Sequence, residues 1–297
     1  MPMNPGAPIL VIDSGLGGLT CVKAVHALLP HEQIVYFGDT ARLPYGSKSA
    51  ETVTTFVKQI IAYLRGFKPK HVLIACNTAT ALALPALQMY FDDLSISGVV
   101  EPGARAAVQA AGAKEVPVIG IMATEATIRS KAYDRSIMRR RQKARLLLRP
   151  APLLVPIIEE GRLLDDPLVK MALEQYLEPM IERKMDVLVL GCTHYPILKA
   201  LIQQVVGMGV RVIDSAEACA EDVARRLQSA GLLRGNEPMQ IARPTAASWL
   251  KTFVTDNSPR FATLASKFLG IRIDAPRWVP PEELHAATLE PAVRRAV

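Results

Sequence analysis

The sequence predicts an α/β fold with mostly parallel, doubly wound sheet, and three observations lead there. Short apolar runs such as ILVI at 9–12, QIVYF at 33–37 and PVIGIM at 117–122 alternate with longer stretches of helical periodicity. Clusters of Gly, Ser, Thr and Asp follow the strand ends, the side on which ligands gather in such folds. One plan also occurs twice. HVLIACNTAT at 71–80 and DVLVLGCTHYP at 186–196 each run an apolar strand into a cysteine flanked by hydroxyl and amide or imidazole groups. Two such strand ends read as two halves of one site.

Composition narrows the classes that remain. With 297 residues, 50% hydrophobic and 21% charged, the chain can bury a sizeable core as one large or two medium domains. It has no apolar run of about 20 residues, and its start lacks the basic region and long apolar core of a signal peptide, so a cytoplasmic address is expected. Cys21, Cys76, Cys192 and Cys219 are too scattered for a disulfide framework, and none forms a CxxC pair. The net charge of +7 raises a nucleic-acid hypothesis. Much of that excess sits at 135–149, RSIMRRRQKARLLLR, a basic segment that otherwise reads as a solvated face.

In chain order, strand 9–12 leads into Asp13-Ser14-Gly15-Leu16-Gly17-Gly18 and a helix beginning near Leu19. The glycines are not spaced as GxGxxG, so the dinucleotide fingerprint is missing. Asp13 puts a carboxylate at the strand end, which suits an ammonium-bearing ligand better than a phosphate, although it could also cap the helix. Strand 33–37 opens into GDTARLPYGSKS, a turn-rich loop around Pro44, Tyr45 and Gly46. A helix at about 50–65 and the cysteine strand at 72–75 follow. VVEP at 99–102 is expected to end a strand with Glu101, before an Ala-rich helix near 103–113. Strand 117–122 then delivers the threonines of ATEATIRSKAY. After the basic segment come the apolar run LLVPIIEEG at 153–161, a helix at about 166–183, and the second cysteine strand. RVIDSAEACAEDVARRLQSAG at 211–231 reads as strand, turn and helix, and residues 253–270 repeat that order. From Pro276 onward the Pro-rich sequence is expected to be a loosely attached tail.

Six stretches together resemble the glutamate racemases of the aspartate/glutamate racemase family: DSGLGGLT at 13–20, FGDTARLPYGSKS at 37–49, ACNTATA at 75–81, IEEG at 158–161, GCTHYP at 191–196 and VTDNSPRF at 254–261. The resemblance implies two doubly wound parallel-sheet α/β domains related by pseudo-twofold symmetry, with the site between them. Residues 1–99 and 212–297 would form one domain and 100–211 the other. It also implies a cofactor-independent enzyme with no metal, interconverting L- and D-glutamate for peptidoglycan, as a monomer or a homo-oligomer such as a dimer. A racemase of aspartate or another acidic amino acid is the nearest alternative. A nucleic-acid-binding protein using 135–149 is a further one; a membrane partner is not expected.

Inverting an α-carbon without redox chemistry needs a base on one face and an acid on the other. The resemblance assigns these roles to Cys76, acting on the D-enantiomer, and Cys192, acting on the L-enantiomer. A free thiol titrates near ~8.5, so neighbours must tune it; a helix N-terminus after Cys76 and an imidazolium beside Cys192 are expected to favour the thiolates. Asp13 would assist Cys76 or hold the substrate ammonium, next to Ser14. Asn77, Thr78 and Thr193, with backbone N–H groups at two helix starts, would receive the carboxylates. Tyr45 and Gly46 carry over as substrate contacts, and Glu159 and His194 as supports for Cys192. Cys21 and Cys219 lie in helical patterns and read as structural.

Overall fold

The computed structural model describes residues 4–235, 246–256 and 258–294. In chain order the elements are β1 (Ile9–Asp13), α1 (Leu19–Leu28), β2 (Ile34–Gly38), α2 (Ala50–Leu64), β3 (His71–Ile74), α3 (Asn77–Tyr90), β4 (Ile96–Gly98) and α4 (Val100–Ala110). Then come β5 (Val118–Ala123), α5 (Glu125–Arg129), α6 (Ala132–Arg140), β6 (Arg145–Pro150), α7 (Leu154–Glu159), α8 (Pro167–Ile181), β7 (Val187–Gly191), α9 (Lys199–Val206) and β8 (Arg211–Asp214). The chain continues through α10 (Ser215–Ser229), α11 (Ala246–Trp249), β9 (Leu250–Val254), α12 (Pro259–Leu269), β10 (Arg277–Trp278) and α13 (Pro281–Arg294).

Two parallel sheets result. One runs β10-β9-β2-β1-β3-β4 and the other β6-β5-β7-β8. Helices cover both faces, which is why β1, β2, β3, β5 and β7 are buried at every position and read as continuous apolar runs rather than alternations. In each sheet the chain winds first to one side and then to the other, from β1 to β2 and back to β3, and from β5 to β6 and back to β7. The crevices therefore open at the C-terminal ends of β1 and β3 and of β5 and β7, which are equivalent switch points. Side-chain caps fix where several helices begin: Ser49 accepts from Thr52 N before α2, Thr124 from Thr127 N before α5, and Asp214 from Ala216 N before α10. One apolar cluster extends from Val11 and Val22 through Cys219 and Phe268 to Leu188, joining the two sheets along α1, α10 and α12.

Two features differ from the sequence reading, and the structure gives a third its element. The strand expected at 99–102 is β4 at Ile96–Gly98, and Glu101 sits in the first turn of α4. A three-residue strand is too short to register as a periodic run, and Pro102 is compatible with a helix's first turn because its missing N–H needs no intrahelical partner there. The apolar run 153–161 contains α7. The stretch from Pro276 is docked rather than loose: β10 pairs with β9, Trp278 Nε1 donates to Thr255 O at 3.0 Å, and Leu284 of α13 is buried against the cluster that holds α2. Its prolines mark the strand-to-helix turn, with Pro281 opening α13. Asn257, within the stretch at 254–261, lies outside the described residues, as do 295–297.

Candidate active site

The two cysteines arrive from the two switch points. Cys76 follows β3 and is the N-cap of α3, where the Ala79 N–H donates to its sulfur at 3.5 Å; the sulfur also lies 3.5 Å from Ser14 Oγ. Cys192 follows β7, with its sulfur 3.9 Å from His194 Nδ1. Both cysteines line one cavity of about 30 Å³, together with Ser14, Tyr45, Gly46, Asn77, Thr78, Glu159, Thr193 and His194. Asp13 stands just behind Ser14, 1% exposed; its carboxylate accepts from Gly15 N at 3.0 Å and from Thr193 Oγ1 at 3.3 Å, so it touches both halves. Every candidate site residue named from sequence thus falls at or directly behind one crevice. Cys21 and Cys219 lie in α1 and α10, fully buried, outside its lining.

The halves approach closely, and two glycines permit it. A Cβ on Gly17 would come within 2.4 Å of Thr193 Oγ1 and 2.6 Å of His194 Nδ1. One on Gly46 would meet the Thr124 side chain at 3.1 Å, bringing the Tyr45 loop against the start of α5. Thr20 adds a further link, its hydroxyl lying 3.2 Å from Thr193 O.

The two thiols sit in opposite electrostatic settings. Burial and the Asp13 charge push the Cys76 thiol up to about 12, against the Ala79 N–H and Ser14 that act the other way. The helix N-terminus therefore does not win at Cys76, contrary to the sequence expectation: in this closed cavity Cys76 holds its proton. His194 is different. Burial pushes it down, yet the hydrogen bonds to Cys192 and to Glu159, whose Oε1 is 2.9 Å from Nε2, outweigh burial and lift it to about 10. An imidazolium consequently stands beside the Cys192 sulfur. Burial raises the Asp13 carboxyl as well, opposed by His194 and by the N–H groups of Gly18 and Gly15.

The remaining polar groups are held in place by hydrogen bonds. Tyr45 turns its hydroxyl away from the cavity, donating to Asp39 at 2.5 Å, and Asp39 also pairs with Arg42 at 2.8 Å and accepts from Thr255 at 2.9 Å. The Thr78 hydroxyl lies 2.9 Å from that of Thr124. Of the two expected helix starts, α3 is one; after Cys192 the chain first makes a short 3₁₀ turn, Tyr195–Leu198, before α9. Sequence reasoning left out Thr124, Val155 and Leu43 from the lining. Thr124 follows β5 and caps α5, as Cys76 follows β3 and caps α3; the threonines at this strand end are legible in the sequence, and the repeated strand plan was the signal that could have brought Thr124 into the site. Among the described residues no three His, Cys, Asp or Glu side chains form a cluster able to hold a metal ion. The basic segment lies away from the cavity, on α6 and β6, where Arg139 and Arg140 pair with Glu101, and Lys143 with Glu115.

Comparisons with known proteins agree with this arrangement. The family model described as Asp/Glu/Hydantoin racemase matches residues 18–223. The chain is 40% identical to the glutamate racemase of Chlorobaculum tepidum, over 91% of this chain and 95% of that one. It is 43% identical to a glutamate racemase of Thermus thermophilus, over 95% and 99% respectively. Among solved structures, a glutamate racemase isoform from Bacillus anthracis superposes with a TM-score of 0.84 at 34% identity, covering 94% of this chain and 99% of that one. The Francisella tularensis enzyme in complex with D-glutamate gives 0.81 at 32% identity, covering 93% and 98%. With more than two thirds of its length matching the family model and nine tenths aligned to these relatives, the chain belongs to the Asp/Glu/hydantoin racemase family, in the company of its glutamate racemases.

Proposed function

We propose that the protein interconverts L- and D-glutamate by proton transfer between two cysteines, without an added cofactor. The observation that supports this reading most directly is the convergence of Cys76 and Cys192 from equivalent strand ends onto one cavity, one thiol protonated and the other beside an imidazolium. In the L-to-D direction Cys192, as thiolate with His194 as its counter-charge, removes the α-proton. Cys76 delivers its own proton to the opposite face. One proton is gained at Cys192 and one lost at Cys76, so the enzyme after turnover is set for the reverse reaction until both exchange with solvent. Asp13 and Ser14 take the ammonium group; Asn77, Thr78, Thr193 and the N–H groups opening α3 take the carboxylates, with Tyr45, Gly46 and Thr124 shaping the far wall. Glu159 keeps His194 charged.

A cavity of about 30 Å³ holds little more than a water molecule, so substrate entry requires the halves to part and then close. We take those halves to be residues 1–99 with 212–297 and residues 100–211; the pairing of β8 with β7 supports a second crossing close to Asp214. A cytoplasmic role supplying D-glutamate for peptidoglycan completes the proposal, as monomer or homo-oligomer. No helix among the described residues is long and apolar enough to cross a membrane. The test is polarimetry: purified protein mixed with L-glutamate, D-glutamate or L-aspartate. Racemisation of both glutamate enantiomers is expected. Turnover of aspartate alone would move the assignment to an aspartate racemase, and inactivity of folded protein on all three would defeat the enzyme reading.

A further inference from the structure

Asn77 lines the cavity, and its carboxamide has two different faces: an oxygen that repels a carboxylate and an NH₂ that binds one. Which face meets the substrate depends on what holds the amide from behind. Tyr133 of α6, 2% exposed, donates its hydroxyl to Asn77 Oδ1 at 2.7 Å. Ser215, at the start of α10, commits its only hydrogen to Leu190 O at 3.1 Å, so it can offer Asn77 only lone pairs, and Asn77 Nδ2 lies 3.4 Å from its oxygen. A donor at one end and an acceptor at the other admit a single amide orientation. Burial drives the Tyr133 phenol well above its ordinary range, so it stays a donor at any working pH. The slot for the phenol is itself built: a Cβ on Gly103 would meet Tyr133 Oη at 3.1 Å, and one on Gly191 would meet its ring at 3.3 Å.

From this geometry we infer that Tyr133 is a positioning residue for substrate recognition, fixing the Asn77 carboxamide so that its second N–H, not its oxygen, faces a carboxylate of the bound amino acid. The inference rests on the glutamate racemase reading above. Tyr133 follows β5 and Asn77 follows β3, so the contact spans the two sheets and the amide is held only when the halves are closed. Open, Asn77 loses its phenol partner; closed, it is locked as a donor. Recognition of the carboxylate is thereby tied to closure.

The test is Tyr133→Phe, which removes one oxygen and leaves the ring in its slot. Hydrogen bonds to charged groups are the strong class, so KM for both L- and D-glutamate is expected to rise about tenfold while kcat changes by less than about threefold. Against an Asn77→Ala background the same change should have no further effect on KM, because Tyr133 acts through Asn77. Unchanged KM in a folded Tyr133→Phe protein, or equal KM effects with and without Asn77, would overturn the inference. If Tyr133→Phe does not fold, Gly103→Ala, whose methyl crowds the phenol oxygen, carries the test with a smaller rise in KM expected and an unchanged KM refuting it. Failure of the wild-type protein to racemise glutamate would instead remove the functional reading beneath it, and the two outcomes are read separately.

Discussion

Replacing Glu159 by Gln tests how the site keeps a charge it has buried. His194 is pushed down by burial and held up by Cys192 and Glu159, ending at about 10 against an ordinary value of 6.5. That difference of roughly 3.5 pH units corresponds to about 5 kcal/mol favouring the imidazolium. A carboxylate at hydrogen-bond distance supplies about 1–3 units of such a balance, and the Glu159 oxygen lies 2.9 Å from Nε2 with its side chain 23% exposed, so solvent screening keeps its share to about 1–2 units. Glu159→Gln is therefore expected to bring His194 to about 8–9, leaving the fold intact. At pH 7 the imidazolium survives in both proteins and the rates should be close. At pH 9 it survives mainly in the wild type, and kcat/KM for L-glutamate should be lower in the variant by up to about tenfold. Circular dichroism of L-glutamate consumption between pH 6.5 and 10 reads this directly. The alkaline limb of Glu159→Gln should lie one to two units, roughly, below that of the wild type. Superimposed alkaline limbs would show that Glu159 does not hold the charge on His194, and the account of Cys192 activation would fail.

Other outcomes follow from the same geometry. Cys76→Ala and Cys192→Ala should each abolish racemisation in both directions while keeping α-proton exchange with retention for one enantiomer, D-glutamate when Cys76 remains and L-glutamate when Cys192 remains; racemisation at wild-type rate in either variant contradicts the assignment. The raised His194 contributes stability that is fully present below pH 6.5 and disappears as pH rises to about 10. The melting-temperature gap between wild type and His194→Asn should accordingly narrow from pH 7 to 10, and a constant gap would count against a charged His194. Gly17→Ala places a methyl 2.4 Å from Thr193 Oγ1. The halves can then no longer close fully, and since misplacement of about 1 Å costs on the order of 100-fold in rate, activity should drop that far with little change in melting temperature; near-wild-type turnover would show that closure at this point is dispensable.

How much of this was legible beforehand varies with the physics of each signal. The buried parallel strands were plain, because burial on both faces writes an unbroken apolar run into the sequence. The paired cysteines were plain too, since the same strand-then-cysteine plan occurs twice with reactive neighbours. β4 is hard to place because three residues make no period, and α13 reads as a tail because prolines that open a helix look the same as prolines in a loop. Thr124 is legible as a threonine after a strand, but its place in the site, like that of Tyr133, escapes for a different reason. Each matters through a contact with a residue far away in sequence, Thr78 and Asn77 respectively, and no local pattern records such a meeting. The state of the Cys76 thiol was likewise out of reach: the helix N-terminus beside it was visible, whereas the burial that outweighs it is a property of the closed fold.

The central claim, two cysteines working from opposite faces of one carbon, is tested most directly by racemisation in D₂O. Thiols exchange with solvent, so a proton removed by Cys192 is not the one delivered by Cys76. With L-glutamate at low conversion, the account predicts that the D-glutamate formed carries solvent deuterium at the α-carbon and that the remaining L-glutamate carries almost none. Product that retains the original α-proton would mean that a single group moves it from face to face, and the two-cysteine account would be wrong.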